Sequence, residues 1–400
     1  TLRGTAQNFS IDYPSYQNRN SDALEISRIV RNDTATILYM DAYSRPNYWI
    51  RLASGLSLHG NQTGKNYPII RSQGFELDKE VYMPASGNVT FSLQFAPLAP
   101  QEKMIDFIEG ANKGDFQIKS ISLNEQEKKG KIHCHISGKV IDSPQSSRLV
   151  LMKAHKNPSS SPWLSIPIRN GEFQYDFYAD HEEVYEVFIW NDMLTGSWLP
   201  SLFFAENGPV SFTLYPASTR KPGLVSTSNP LTCELQQLES ERKAKFNFDS
   251  LYAQMNKLYE ENRFESEALQ TLWKKIEQVK DNNEERNNIY RERDRLEESG
   301  EAYTEEGKAL LAKIKQLNEE MNQWTIKHIK QNPSLPGLYV LTSKTEMARK
   351  GEDVTPFLNA YQETFASLYP EHPYGQQMQM LIKNGQPEIG KPYVDFSAPD

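Results

Sequence analysis

The chain has 400 residues, with 52 acidic against 44 basic side chains and a formal charge of -8. At roughly 100–200 residues per domain, this length gives two to four domains, each able to bury a core without disulfide or metal staples. The acidic balance argues against a nucleic-acid partner, which needs a clustered basic surface, and no apolar run reaches the ~18 residues of a bilayer span.

The first 220 residues carry short runs of β-branched and aromatic side chains broken by Gly, Pro, Asn and Ser, the pattern of all-β sandwiches. A first unit is expected over residues 1–123, with strands at 36–43, 48–52, 89–95, 105–108 and 116–123. Its clearest strand places Val89, Phe91, Leu93 and Phe95 on one buried face, with Thr90, Ser92 and Gln94 on the other. The polar stretch Asn124 to Lys131 suits a linker.

A second sandwich is expected over residues 131–222. Ile132, Cys134 and Ile136 alternate with His133 and His135. Ile166 and Ile168 lead through Asn170-Gly171 into Phe173, Tyr175 and Phe177, a hairpin on a type I′ turn. Further strands are expected at 184–190, 201–205 and 210–215.

From residue 231 the apolar period changes to about 3.6, and 38 of the 100 residues from 231 to 330 are charged, against 58 of the other 300. Leu251, Met255 and Leu258 form one stripe, Leu269, Leu272, Ile276 and Val279 a second, and Leu310, Ile314, Leu317, Met321 and Trp324 a third. Ser299-Gly300 breaks the pattern, so an antiparallel helical hairpin is expected within a helical region spanning 231–385.

Two cysteines, Cys134 and Cys233, exclude a disulfide framework and a C-x-x-C pair. Cys134 reads as a core residue. His133 and His135 share the spacing of a chelate, but no third ligand follows nearby, so no metal is expected. Asp106 and Glu109 read as hydrogen-bonded turn residues rather than an acid–base pair. Elbow, zincin, Walker and dinucleotide motifs are absent, so no catalytic residue and no cofactor is expected. Aromatic side chains are the remaining lead. Trp163, Trp190 and Trp198 fall within the second sandwich, with Trp198 in a loop, and together form a candidate surface for a glycan, a peptide or a partner.

The last residues, Gly390-Lys391-Pro392-Tyr393-Val394-Asp395-Phe396, resemble the entry segment of a thioredoxin-like domain. With Ile136-Ser137-Gly138-Lys139-Val140, Asn170-Gly171-Glu172-Phe173, Phe203-Phe204-Ala205-Glu206-Asn207-Gly208, Asn332-Pro333-Ser334-Leu335-Pro336 and His372-Pro373-Tyr374, their order is similar to that of TlpA/ResA-like thiol-disulfide oxidoreductases of the AhpC/TSA group. Met83-Pro84-Ala85-Ser86-Gly87 and Ile105-Asp106-Phe107-Ile108-Glu109-Gly110 likewise resemble an immunoglobulin-like module of such proteins. The resemblance implies a multidomain α+β chain: two tandem immunoglobulin-like β-sandwiches, a helical hairpin region, and the truncated start of a thioredoxin-like domain at 388–400. It implies a non-catalytic scaffold of an envelope oxidoreductase that docks the client proteins of the redox domain. It further implies a periplasmic or envelope location, with membrane attachment only through a removed lipid anchor; the Thr at residue 1 fits a processed chain. The family's catalytic C-x-x-C and neighbouring cis-proline have no counterpart here.

Overall fold

The computed structural model describes residues 9–112, 114–124, 130–158, 161–279, 283–348 and 352–384. The segment 388–400, expected to open a thioredoxin-like domain, and most of the linker expected at 124–131 lie outside them. The chain divides into two compact units, residues 1–229 and 230–400. The first holds sandwich-like, largely antiparallel sheets and the second is helical.

The first β module contains β1 (Phe9–Asp12), β2 (Asn18–Arg19), β3 (Leu24–Arg31), β4 (Thr36–Tyr43), β5 (Trp49–Ile50), β6 (Ser57–Gly60), β7 (Asn66–Gln73), β8 (Val81–Tyr82), β9 (Asn88–Phe95), β10 (Met104–Ile108) and β11 (Gln117–Ser122). Nine of these form one sheet in the order β1-β3-β4-β9-β7-β6-β10-β11-β2, while β5 and β8 pair separately. Register shifts at Ile26/Arg28, Ile69/Arg71 and Ile105/Phe107 bend it. The bending lets residues far apart in strand order, such as Leu38, Leu93, Leu58 and Ile121, share one buried core. On β9, Phe91, Leu93 and Phe95 are buried as the alternation requires.

The second module contains β12 (Ile132–Val140), β13 (Arg148–Lys153), β14 (Leu164–Pro167), β15 (Glu172–Ala179), β16 (Val184–Ile189), α1 (Trp190–Leu194), β17 (Ser201–Phe204), β18 (Gly208–Leu214) and β19 (Leu224–Thr227). Two four-stranded sheets, β15-β12-β18-β19 and β14-β13-β16-β17, enclose a core that includes Cys134, Ile136, Leu149, Leu151, Phe177, Val187 and Phe203. The turn expected at Asn170-Gly171 forms, with φ of 53° and 78°, and closes on an Arg169–Glu172 bridge, but the expected hairpin ladder does not: β14 pairs with β13 in one sheet and β15 with β12 in the other, so the turn carries the chain between the sheets. Strand β19 pairs with β18, so the module runs past residue 222. Pairing of β12 with β18 is parallel. It depends on Gly138, where a Cβ would lie 2.2 Å from the Phe212 carbonyl oxygen.

The helical unit contains α2 (Pro230–Lys245), α3 (Asp249–Glu260), α4 (Glu267–Gln278), α5 (Asn283–Ser299), α6 (Glu305–Gln331), α7 (Leu335–Glu346), α8 (Thr355–Ala360) and α9 (Pro373–Asn384). Ser266, Thr304 and Ser334 cap α4, α6 and α7 through hydrogen bonds accepted from the backbone N–H three residues on. The chain breaks at Ser299-Gly300, with Gly300 at φ 74°. Packing nonetheless pairs α4 with α5 and α3 with α6. The stripe ending at Trp324 and the Leu251, Met255 and Leu258 stripe thus lie on helices packed against each other, most of both is half-buried, and the Trp324 ring meets that of Phe246 at 5.8 Å.

Candidate functional site

Two faces of β13 have different fates. Leu149 and Leu151 enter the sandwich core, whereas Val150 and Met152 point to the outer side of their sheet with Phe188 of β16. Trp163, Trp190 and Trp198 all pack on this outer cluster. The three candidate tryptophans are thus brought together, but as packing rather than as an open platform. Trp190 is only 7% exposed, and Trp198 stacks on Phe188 with centroids 5.5 Å apart. The half-buried Trp163 ring has Arg19 at 4.9 Å and Arg148 at 5.3 Å from its centroid.

Arg148, on the same outer side, is 1% exposed. Its guanidinium lies 4.1 Å from the Trp190 centroid and 4.3 Å from that of Tyr43 in the first module. It donates to the Asp22 carbonyl at 2.8 Å and to the Asp22 carboxylate at 3.3 Å. Among the described residues its Nε has no hydrogen-bond partner, and neither does Trp190 Nε1. Burial, opposed in part by Asp22, lowers the Arg148 pKa to about 10. Sequence reading missed this residue, because Arg148-Leu149-Val150-Leu151 looks like a strand that begins on a polar edge position.

A second bridge joins the β modules. Asp41 of β4 is buried and accepts from Arg169 (2.9 Å), Asn88 (3.2 Å) and Thr90 (2.6 Å). Tyr13 follows β1 with φ 46°, which turns its ring onto Tyr175 of β15 at 4.3 Å and against the second module's core.

Between these bridges lies a cleft of about 600 Å³. The segment from Ile11 to Gln17 forms one wall, and Trp163, Ser165, Tyr175, Phe177 and Tyr185 contribute to the other. Tyr43 and Ser165 also line it, are 2% and 6% exposed, and their hydroxyls interact with each other. Burial, reinforced by Asp41, pushes the Tyr43 hydroxyl far above its ordinary pKa despite Arg148, Arg169 and the Ser165 hydroxyl. The cleft thus offers apolar rings for burial among polar side chains, the composition of a ligand site.

The other candidates resolve individually. His133 Nε2 and His135 Nδ1 contact the same Asp176 oxygen at 2.8 and 3.0 Å. Burial raises the Asp176 pKa, but hydrogen bonds from both histidines outweigh it and hold it below the ordinary value. Among the described residues no group of three or more His, Cys, Asp or Glu could hold a metal. Cys134 is buried, and burial raises its pKa to about 12, so its thiolate is disfavoured. Cys233 is exposed in the first turn of α2. Asp106 accepts from Ser120 N, and Glu109 from Phe116 N and, across the module, from Ala53 N, so both carboxylates are occupied by backbone donors. Glu186 is buried with a pKa raised to about 7, opposed only by a hydrogen bond from the His155 backbone.

An exposed aromatic group also lies on the first module. Trp49 and Tyr82 are cross-strand partners in the β5–β8 ribbon and are 49% and 59% exposed. Alternation from the buried Ile50 would have located Trp49 on the outer face.

No protein-family model matches the chain, and no curated protein matches it. Among solved structures, a carbohydrate-binding module of family CBM26 from Eubacterium rectale, in complex with maltoheptaose, is similar at 12% identity and a TM-score of 0.18, covering 45% of this chain and 93% of that one. Suilysin from Streptococcus suis is similar at 4% identity and a TM-score of 0.14, covering 52% and 50%. The TIE protein of Bacillus anthracis follows at 9% and 0.13, covering 54% and 41%. At these scores the likenesses carry no argument.

Proposed function

We propose that the β unit is a non-catalytic docking region that receives an extended peptide segment of a partner protein in the cleft between its two modules. The observation that carries this reading is the wall formed by the segment from Ile11 to Gln17, whose Tyr13 ring already packs against the second module's core. That surface accommodates a non-helical segment presenting an aromatic side chain, and free cleft volume lies beside it. Ser161 lines the cleft and is half-buried, so Ser161→Trp fills the space with little change to the core. Retention of a random hexapeptide pool on the immobilised chain should fall at least tenfold in this variant. Equal retention by variant and parent would refute the site.

The wider proposal is that this region precedes a thioredoxin-like domain in an envelope oxidoreductase, setting its distance from the membrane and docking its clients. An immunoglobulin-like class for the two sandwiches and a long helical hairpin belong to the same proposal. Its support is the order of short sequence matches ending at Gly390-Lys391-Pro392. Removing residues 1–385 from a longer parent should spare reductase activity on a small disulfide and reduce activity on native clients. Equal loss on both would end this division of labour.

The exposed Trp49–Tyr82 pair favours a second reading, glycan binding on the first module. Trp49→Ala should abolish any signal on a glycan array, and an unchanged signal would remove this reading.

A further inference from the structure

Strand β15 is the outermost strand of its sheet and pairs over its eight residues with β12 alone. Val140 N–H donates to the Gly171 carbonyl at 2.8 Å, which sets the phase of this antiparallel ladder. Phe173, Tyr175 and Phe177 therefore exchange backbone bonds with β12, whereas Glu172, Gln174 and Asp176 direct their N–H and C=O groups away from it. Arg169 takes those of Glu172. Among the described residues, nothing pairs with the outward backbone groups of Gln174 and Asp176.

Folded proteins keep exposed sheet edges short or blocked, because an open edge templates the addition of another strand. The other edges here follow that rule. β1, β14, β17 and β19 have four residues each, with Pro167 in β14. β2, β5 and β8 have two residues each. β15 has eight, with no proline, no lysine and no register shift along its ladder.

The two sides of that open edge differ in chemistry. On the core side, the cleft of about 600 Å³ is lined by Tyr175 and Phe177 of β15 with Trp163, Leu164 and Tyr185. On the opposite side a hollow of about 640 Å³ is lined by Gln174, Asp176 and His133, with Asp12 and Arg28 of the first module. Tyr13, Ser27 and Asp176 line both, so the two volumes flank one edge. A strand added to β15 would turn successive side chains alternately into the apolar cleft and the polar hollow. Volumes of this size suit the side chains of one extended chain rather than the edge of a second folded copy.

Resting on the docking proposal above, we infer that the partner's segment binds by strand addition to β15. Its main chain pairs with the backbone of Gln174 and Asp176, and its side chains alternate between apolar and polar.

The test uses the full chain and two random hexapeptide pools of the same side-chain composition, one with ordinary backbone amides and one with every backbone amide N-methylated. Methylation removes the donors that strand pairing needs, so retention should fall about tenfold or more. Gln174→Pro removes an outward N–H and breaks no bond to β12, since proline is tolerated on the outer side of an edge strand. It should lower retention of the ordinary pool to that of the methylated pool. Equal retention of both pools on the parent chain would overturn strand addition and leave docking intact. No retention of either pool would remove both. The comparison of pools on the parent chain needs no variant, so it decides even if the proline prevents folding. A methylation effect that persists in folded Gln174→Pro would place the pairing on another edge and overturn the assignment to β15. A sedimentation mass that rises with concentration in the parent and not in the variant would make a second copy of this chain the occupant, and would overturn the partner segment.

Discussion

The two β modules treat buried charge differently. In the first, Asp41 accepts from Arg169, Asn88 and Thr90. Glu102, 3% exposed, accepts from Thr63, Tyr67 and the Gln62 backbone. In the second, Arg148 has one half-exposed carboxylate, aromatic faces and an unpaired Nε, and Glu186 has only a backbone donor against burial. A saturated buried charge fixes one packing, whereas an under-satisfied one lowers stability and marks a place where another group can bind. Arg148 lies at the junction of the modules, against the Tyr43 ring of the first, which is why the cleft rather than either core is the functional candidate.

The largest expected effect falls on the arginine. Arg148→Ala should destabilise the β unit by about 3–5 kcal/mol, because it empties a large buried volume among Tyr43, Trp163 and Trp190. Arg148→Met keeps most of that volume and lets the half-exposed Asp22 carboxylate hydrate, so its cost should be about 1 kcal/mol or less. Urea midpoints followed by tryptophan fluorescence measure both. Equal losses would show that Arg148 is needed for its charge, and would place it with Asp41 on the saturated side of the comparison.

Glu186 comes next, and its effect depends on pH. Its folded-state pKa is raised from 4.5 to about 7 by burial. Between those values the native state holds a proton that the unfolded chain has released. Stability contributed by the neutral acid is therefore complete below pH 4.5 and declines until the pH passes about 7. At 1.36 kcal/mol per pH unit the decline is on the order of 3 kcal/mol. Glu186→Gln should leave stability at pH 4 nearly unchanged, raise it by up to that amount at pH 8, and flatten the slope in the urea midpoint. A variant with the parent's slope would show that Glu186 has a compensating partner.

Elements whose pattern is local were legible in the sequence. β9 alternates without interruption, and Asn170-Gly171 requires positive φ, so both follow from the residues alone. β3 did not, because the register shift between Ile26 and Arg28 changes the parity of the inward positions, leaving Leu24, Ile26 and Ile29 out of step. Pro68 disguised β7. The parallel pairing of β12 with β18 is non-local, and its one local sign was Gly138. On the helices the apolar stripes were visible, but their partners were not, since period specifies a face and not what covers it. The site followed the same division. Composition pointed to Trp163, Trp190 and Trp198, whereas Arg148, Tyr43 and Ser165 become a constellation only when the two modules meet.

The smallest predicted effect is the sharpest test of the comparison, because it should have the opposite sign to that of Glu186. Burial raises the Glu102 pKa, but hydrogen bonds from Thr63, Gln62 and Tyr67 outweigh this and hold it below the ordinary value. The contribution of Glu102 is therefore present above the ordinary carboxylate range and lost as pH falls through its lowered pKa. Its carboxylate lies against the bare backbone of Gly60, where a Cβ would come within 2.1 Å of Oε1, so the side chain has little room to rearrange. Glu102→Gln turns an amide N–H₂ toward groups that are themselves donors, and should destabilise the β unit by about 1–2 kcal/mol at pH 7. The same substitution at Glu186 should stabilise it at that pH. Two Glu→Gln changes of equal sign in urea titrations at pH 7 would mean that satisfaction of buried charge does not distinguish the modules, and would remove the reason for placing the site at their junction.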